Sequence, residues 1–152
     1  MRSRPWPNPD KGLPVLQYNF SSKSLPVLTG MFKIWYRWEE NYSKYVKTVP
    51  LNIYDLLTER GLAIWIMDDG FKKENAVGLA TECFTCLRQE EEIERLKFVL
   101  ENKFGLLVSK NIRNFKGGKL SFRLFISAKS RDKLHSLVYP YFIPEMLYKL
   151  NI

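Results

Sequence analysis

The sequence predicts an α+β fold in which helices pack on antiparallel strands. Two stretches have a helical pattern: an apolar run from Leu62 to Met67, and residues 90–103, where Ile93, Leu96 and Leu100 recur at helical spacing. Alternating or apolar segments typical of strands occupy residues 13–20, 77–84, 106–112 and 120–126. The chain has 152 residues, which suits one domain able to bury a core.

Composition narrows the class of protein. Hydrophobic residues at 45% and aromatic residues at 14% exclude a disordered chain, except at its ends. The net charge of +8 favours a polyanionic partner, nucleic acid rather than a membrane surface, although charge can also serve solubility alone. No apolar run is long enough for a membrane span, and the start of the sequence has no secretory pattern.

The chain opens with a basic, proline-rich segment. Residues 1–12 contain three prolines at alternate positions together with Arg2 and Arg4, which predicts a tail without regular structure. Residues 13–20 follow as a strand and residues 21–24 as a turn. A helix is then expected, because Leu28, Met31, Phe32 and Trp35 recur at helical spacing.

The apolar helix of residues 62–70 is the element around which the rest is organised. Thr58 is a plausible N-cap and Gly70 a plausible stop. Because the segment is apolar nearly all round, it should be buried, with Ala63 permitting close approach of another helix. Asp68 and Asp69 at its end are costly to bury without donors or a cation. A metal site and a solvated acidic turn are the two alternatives.

Residues 90–138 are predicted to form a helix, a β-hairpin and a second helix. The acidic positions of residues 90–103 are interpreted as a solvated face, a hairpin turns around residues 114–118, and residues 131–138 form a short helix. Cys83 and Cys86 form a single CxxC, which has too few companions for zinc and indicates reduced thiols. His135 is expected to be structural or solvent-facing.

An internal repeat indicates the domain organisation. Residues 12–32 overlay residues 118–138 at an offset of 106, and the two copies end in Lys47 and Lys149 if a small insertion is allowed at residues 39–43. Residues 13–50 would therefore be the C-terminal strand and helix of a first unit. Residues 51–152 would be a complete second unit. The first unit's own apolar helix is expected to come from elsewhere.

These motifs resemble a known family. Residues 62–70, LAIWIMDDG, are similar to the signature helix of the LAGLIDADG homing endonucleases in the form found in organelle introns. Residues 79–85, the helix ending over residues 96–104, and residues 140–150 resemble the second half of that family in order and spacing. The resemblance covers residues 13–150. It implies two signature helices packed side by side, with antiparallel sheets forming a saddle over the DNA major groove.

The resemblance also implies a catalytic centre. Asp69 occupies the place of the metal ligand, while Asp68 takes the family's alanine place and is the lesser candidate ligand. Divalent ions, Mg²⁺ in this family, would activate water and stabilise the leaving oxygen. Lys47 and Lys149 occupy rim positions from which an ammonium could polarise the attacking water or neutralise charge on the phosphorane.

Basic residues on the strands would contact phosphates on the concave face of the saddle. Such contacts give salt-dependent affinity without sequence information. Glu82 is an acidic residue expected on the same strands as these basic residues. The candidate nucleic-acid-binding residues are Arg2, Arg4, Lys72, Lys73, Lys110, Arg113, Lys116, Lys119, Arg123 and Lys129.

Two functions follow from the resemblance. The first is half of a Mg²⁺-dependent double-strand DNA endonuclease whose missing helix comes from a separate chain; a symmetric homodimer is disfavoured because residues 13–36 would compete for the partner's place. The second is a cleavage-inactive RNA-binding protein, either an intron maturase or splicing factor, or a structural part of a ribonucleoprotein such as a mitochondrial ribosome. Glu82, Cys83 and Phe71 depart from the family's usual residues and favour the second. A mitochondrial or other organellar location is implied in both cases.

Overall fold

A computed structural model describes residues 2–6, 17–21, 23–84, 89–114 and 120–150. The chain forms two compact units, Met1–Ile34 and Trp35–Ile152. Within the described residues, no helix combines the length and the apolar character that a membrane span requires.

The first unit contains two strands and a helix. Strand β1 (Arg2–Trp6) pairs antiparallel with β2 (Gln17–Ser21), and helix α1 (Pro26–Trp35) follows. The helix is confirmed, and Pro26 at its first position needs no intrahelical donor. The prediction of a tail without regular structure is wrong for Arg2–Trp6, because the fixed φ of Pro5 is compatible with a two-stranded ladder. Residues 7–16 lie outside the described part.

The second unit begins with a hairpin that the sequence did not predict. Strand β3 (Tyr36–Glu39) pairs antiparallel with β4 (Lys44–Lys47). A 3-10 turn over Glu40–Tyr42 and Ser43 in the left-handed region (φ 45°) close the tip. The predicted insertion at residues 39–43 is therefore this hairpin tip. A single helical turn, α2 (Ile53–Leu56), follows.

A four-stranded antiparallel sheet forms the centre of the second unit. It contains β5 (Gly70–Lys73), β6 (Ala76–Leu79), β7 (Val108–Asn114) and β8 (Leu120–Ile126), in the spatial order β5-β6-β8-β7. The predicted pairing of β7 with β8 is confirmed, and the loop of residues 115–119 lies outside the described part. The prediction that the strand of residues 77–84 runs to its end is wrong beyond Leu79. There the chain turns and buries Thr81, whose hydroxyl donates to the Phe122 carbonyl at 2.5 Å.

Three helices cover one face of this sheet: α3 (Glu59–Asp69), α4 (Gln89–Asn102) and α5 (Arg131–Val138). All three were predicted within a few residues. Ile93, Leu96 and Leu100 of α4 are buried, as their spacing predicted. They meet sheet residues such as Leu79, Leu124 and Ile126 in one continuous core.

The acidic start of α4 is not uniformly solvated, which corrects the interpretation from sequence. Glu92 is buried, and its Oε1 accepts from the Thr48 hydroxyl at 2.5 Å. Glu90 and Glu94 both pair with Lys110 of β7, at 2.7 Å and 2.5 Å. These carboxylates therefore tie α4 to the hairpin segment and to the sheet.

Candidate active site and nucleic-acid surface

Helix α3 begins and ends where the sequence indicated, but Gly70 acts differently from the prediction. The Thr58 side chain accepts from the Gly61 amide at 3.0 Å, so the predicted N-cap is confirmed. Gly70 has extended angles (φ −77°, ψ 150°) rather than left-handed ones. Its lack of a side chain matters because a Cβ there would collide with the Ile66 carbonyl. Close packing at the helix end therefore requires this glycine.

The two sides of α3 have different environments. Leu62, Ala63 and Ile66 are fully buried, and the helix packs on α5 and on the 3-10 helices Tyr139–Tyr141 and Pro144–Leu150. The prediction that this helix is buried against another helix is confirmed on this side, where the neighbouring helix is α5 of the same chain. The outward stripe consists of Arg60, Gly61, Ile64 and Asp68, and Ile64 is 53% exposed. The helix is thus buried on one side only.

Lys149 lies at the C-terminal end of α3. Its Nζ donates to the carbonyl oxygens of Met67 at 2.5 Å and of Asp68 at 3.1 Å. A cation at this position also interacts favourably with the helix dipole. The side chain therefore fixes the helix end that carries the two aspartates.

Lys47 and Asp69 meet around Cys83. The Ala80 amide donates to the Asp69 carbonyl at 3.2 Å, which places the turn that carries Cys83 beside the helix end. Partial burial raises the pKa of the Cys83 thiol, Lys47 opposes this through its charge and a hydrogen bond, and the Asp69 charge raises the pKa further. Lys47 also lies over the Phe84 ring, 5.4 Å from its centroid. Both predicted catalytic side chains therefore act on one thiol, which the sequence suggested only as half of a CxxC.

The donors at this position fit part of a metal site. Asp69 is half-buried and Asp68 is exposed, and carboxylate oxygens are the ligands that hard divalent cations prefer. Burial raises the pKa of the Cys83 thiol, and a thiol is a soft ligand of the kind that hard divalent ions such as Mg²⁺ do not favour. Among the described residues, no three His, Cys, Asp or Glu side chains are grouped to hold a metal ion.

The second face of the sheet is free of these helices, and the strand register decides which basic residues lie on it. Paired residues share a face and successive residues alternate. Lys72 pairs with Val77 and Lys110 with Leu124, both core residues, so Lys72 and Lys110 lie on the helix-covered face. Lys72 is nevertheless exposed to solvent, whereas Lys110 is half-buried, and neither shares a face with Lys73 and Arg123. Lys73 and Arg123 lie on the open face, as predicted.

Aromatic rings and cations share this open face. Phe71 and Phe125 meet edge to face at 5.9 Å between centroids. Lys73 lies over Phe125 at 4.6 Å, and Arg123 lies over Phe71 at 5.0 Å. Arg123 also pairs with Glu82, which follows β6 rather than lying on it. We refer to these five residues as the open-face cluster.

The remaining basic candidates are spread over other positions. Lys129 is exposed in the 3-10 helix Ala128–Ser130, just after β8. Arg2 and Arg4 lie on β1 and Arg113 on β7, but their side chains are outside the described part, as are Lys116 and Lys119 entirely. His135 has the expected structural role, since its Nε2 is 2.9 Å from the Leu150 carbonyl oxygen.

An antiparallel sheet covered by helices on one face defines an α+β class of fold, and here an acidic helix end lies beside Lys149. The profile described as the LAGLIDADG DNA endonuclease family matches residues 7–134, and the chain belongs to this family. Endonucleases of the family generally use divalent metal ions. The predicted family and fold class are thereby confirmed.

Named relatives include both endonucleases and maturases. The chain is 37% identical over 125 residues to the probable intron-encoded endonuclease 1 of Wickerhamomyces canadensis, covering 78% of this chain and 49% of the relative. It is 30% identical over 138 residues to the cytochrome b mRNA maturase bI2 of Saccharomyces cerevisiae, covering 90% of this chain and 31% of that protein. The chain therefore spans between about a third and a half of these relatives.

A solved structure supports the same assignment. The homing endonuclease I-WcaI bound to its DNA recognition sequence aligns with a TM-score of 0.59 and 34% identity. The alignment covers 74% of this chain and 48% of that one. The fold described above therefore corresponds to about half of that solved chain.

Proposed function

We propose that this chain supplies one half of a Mg²⁺-dependent site for double-strand DNA cleavage, with Asp69 as its metal-binding carboxylate. The proposal is supported by two observations at the end of α3. Lys149 donates to the helix's last carbonyl oxygens, and Lys47 and Asp69 both act on the Cys83 thiol. Bound divalent ions would supply an activated water and stabilise the leaving oxygen. A second LAGLIDADG unit supplies the other half.

Each side chain of this chain has a distinct part in the proposal. Lys149 holds the end of α3 through the Met67 and Asp68 carbonyls, so Asp69 is presented from a fixed backbone. Lys47 acts on the Cys83 thiol through its charge and a hydrogen bond, and the Asp69 charge acts on the same thiol. The ammonium of Lys47 would there stabilise the charge that develops on the phosphate during in-line attack.

The outward stripe of α3 supports the need for a second unit. A Cβ at Gly61 would make only ordinary contacts with Leu57 and Thr58, so this chain's fold does not require glycine there. Glycine in a helix costs roughly 1 kcal/mol relative to alanine. Gly61, Ile64 and Asp68 lie on one side of the helix and leave a surface on which a partner helix fits closely.

A DNA cleavage assay tests the proposal. The chain is combined with a second LAGLIDADG unit, and Mg²⁺-dependent cutting of the target duplex is measured for wild type and Asp69→Asn. We expect at least about a 100-fold loss of cleavage with unchanged DNA binding, because the carboxylate acts on the reacting phosphate through the ion. Asp132→Asn, an exposed carboxylate on α5, is the matched control. Undiminished cutting by Asp69→Asn would refute the assignment.

The open-face cluster favours a second candidate function. Glu82 holds Arg123, and Phe71 and Phe125 cover part of the surface that would face DNA. A cleavage-inactive RNA-binding protein, such as an intron maturase, a splicing factor or a component of a mitochondrial ribosome, accommodates these features. The names of the maturase relatives support this candidate and a mitochondrial location. RNA binding or splicing that survives Asp69→Asn while no cleavage is found with wild type would favour it.

A further inference from the structure

The β3–β4 hairpin presents two exposed aromatic rings, Trp38 and Tyr45, that have no part in the proposed active site. Trp38 and Tyr45 are directly paired across the two strands, 52% and 55% exposed, with ring centroids 5.2 Å apart and planes at 73°. Large aromatic side chains that are this exposed on a β-strand are commonly part of an interaction site.

Strand alternation separates the two faces of the hairpin. Tyr36, Trp38, Tyr45 and Lys47 share one face, because Tyr36 pairs with Lys47 and Trp38 with Tyr45. On the other face Val46 is buried in the core and Arg37 pairs with Glu39 at 3.5 Å. The core thus fixes the hairpin from one side and leaves the aromatic rings outward.

Charge on the aromatic face fits a polyanion. Lys47 is the charged residue of the four on this face, whereas Lys44, which lies over the Tyr42 ring at 5.6 Å, pairs with Glu39 on the opposite face. The nearest carboxylate in the paired strands, Glu39, lies on the opposite face. A phosphate backbone can therefore approach the rings without meeting a carboxylate of β3 or β4.

We infer that the hairpin of residues 36–47 binds unpaired RNA bases by stacking on Trp38 and Tyr45, next to the candidate catalytic Lys47. Aromatic rings bind unpaired bases through their faces, with little sequence preference. Structured RNA exposes such bases in loops and bulges, whereas an intact DNA duplex keeps its bases stacked. The inference rests on the proposed nucleic-acid-binding function and adds unpaired RNA as a partner of the chain.

Binding of a fluorescent, unstructured oligouridylate tests the inference. The Trp38→Ala and Tyr45→Ala variants are expected to bind it about tenfold more weakly each, since removal of one stacking ring costs this order of affinity. Trp38→Phe keeps an aromatic ring and should retain most of the affinity. Phe98→Ala, which removes a ring 55% exposed on α4, is the matched control and should bind like wild type.

Binding of the target DNA duplex, measured in parallel, separates this inference from the proposed function. We expect duplex binding and Mg²⁺-dependent cleavage to be unchanged in Trp38→Ala. If wild type binds and cuts the duplex but does not bind oligouridylate, or if Trp38→Ala and Tyr45→Ala bind it like wild type, the RNA site is wrong and the endonuclease proposal stands. Equal, Trp38-dependent binding of oligothymidylate would refute the choice of RNA. Trp38-dependent self-association without RNA binding would refute the inference in favour of a protein contact.

Discussion

Arg123 is held by two neighbours on the open face of the sheet: it pairs with Glu82 and lies over the Phe71 ring. Gly78 makes room for this arrangement, because a Cβ there would collide with that ring. The guanidinium is thereby oriented on the surface where the fold would meet a nucleic acid. Its carboxylate partner, however, occupies donors that a phosphate would otherwise use.

We expect Glu82→Gln to bind duplex DNA more tightly and with a steeper salt dependence. The change frees Arg123 for about one additional phosphate contact, which adds roughly one unit to the slope of log affinity against log salt concentration. Fluorescence anisotropy titrations at several salt concentrations measure both quantities. Glu91→Gln removes the same charge from an exposed position on α4 and controls for net charge. Identical slopes for the two variants would show that Arg123 is not a phosphate contact.

Single residues also show which inferences the sequence supported. The N-cap role of Thr58 was predicted because it depends only on a threonine side chain immediately before the helix. Lys72 and Lys73 were placed on one face, although adjacent strand residues point to opposite faces, and this alternation alone corrects the error. The closeness of Cys83 to Lys47 and Asp69 depends on a turn between elements, and no local pattern in the sequence encodes it.

Helix α3 divides its residues between this chain's core and an outward stripe. Ile66 is fully buried and Ile64 is 53% exposed, although they are two residues apart and chemically identical. The sequence predicted the helix and its ends but not which side its own chain would cover. That choice depends on the packing of α5 and the closing 3-10 helices.

The two isoleucines give a matched test of the outward stripe. Ile64→Lys should leave the free energy of unfolding within about 0.5 kcal/mol of wild type, as exposed substitutions usually do. Ile66→Ala should lower it by roughly 2–5 kcal/mol, because it opens a cavity in the core. Ile64→Lys should nevertheless abolish assembly with a second LAGLIDADG unit, measured by analytical ultracentrifugation. Normal assembly of this variant would show that the partner helix binds elsewhere.

The contact between α4 and β7 should respond to pH. The hydrogen bond from Lys110, 2.5 Å from Glu94, holds the pKa of that carboxyl below its ordinary value of 4.5. A carboxyl with a lowered pKa stabilises the fold above its ordinary pKa, and the contribution is lost as pH falls below that value. Because the Glu94 side chain is about half exposed and solvent screens the pair, the contact is worth less than about 1 kcal/mol.

Urea unfolding of Glu94→Gln at several pH values measures this contribution. The variant should be less stable than wild type by up to about 1 kcal/mol near neutral pH, and the difference should disappear in acid, where the wild-type carboxyl is itself protonated. Glu91→Gln is again the control. A difference that stays constant from neutral to acidic pH would indicate a role for Glu94 other than its pairing with Lys110.

On the scale of the whole chain, the internal repeat matches the observed order of elements. A strand followed by a helix occurs as β2 and α1 and again as β8 and α5, at nearly the same offset. The assignment of residues 13–50 and 51–152 to two family units remains a prediction. The elements that the sequence did not predict include the single turn α2. They also include β1, because prolines suggested an irregular tail, and the β3–β4 hairpin, because its aromatic and charged residues fit no simple period.

The central claim is that this chain provides half of a metal site rather than a whole one. Isothermal titration with Mg²⁺ tests it most directly, applied to the chain alone and to its complex with a second LAGLIDADG unit and uncleaved duplex DNA. We predict no saturable binding by the chain alone, and binding by the complex that Asp69→Asn abolishes. Equal Mg²⁺ binding by the wild-type and Asp69→Asn complexes, or saturable Asp69-dependent binding by the isolated chain, would contradict the account.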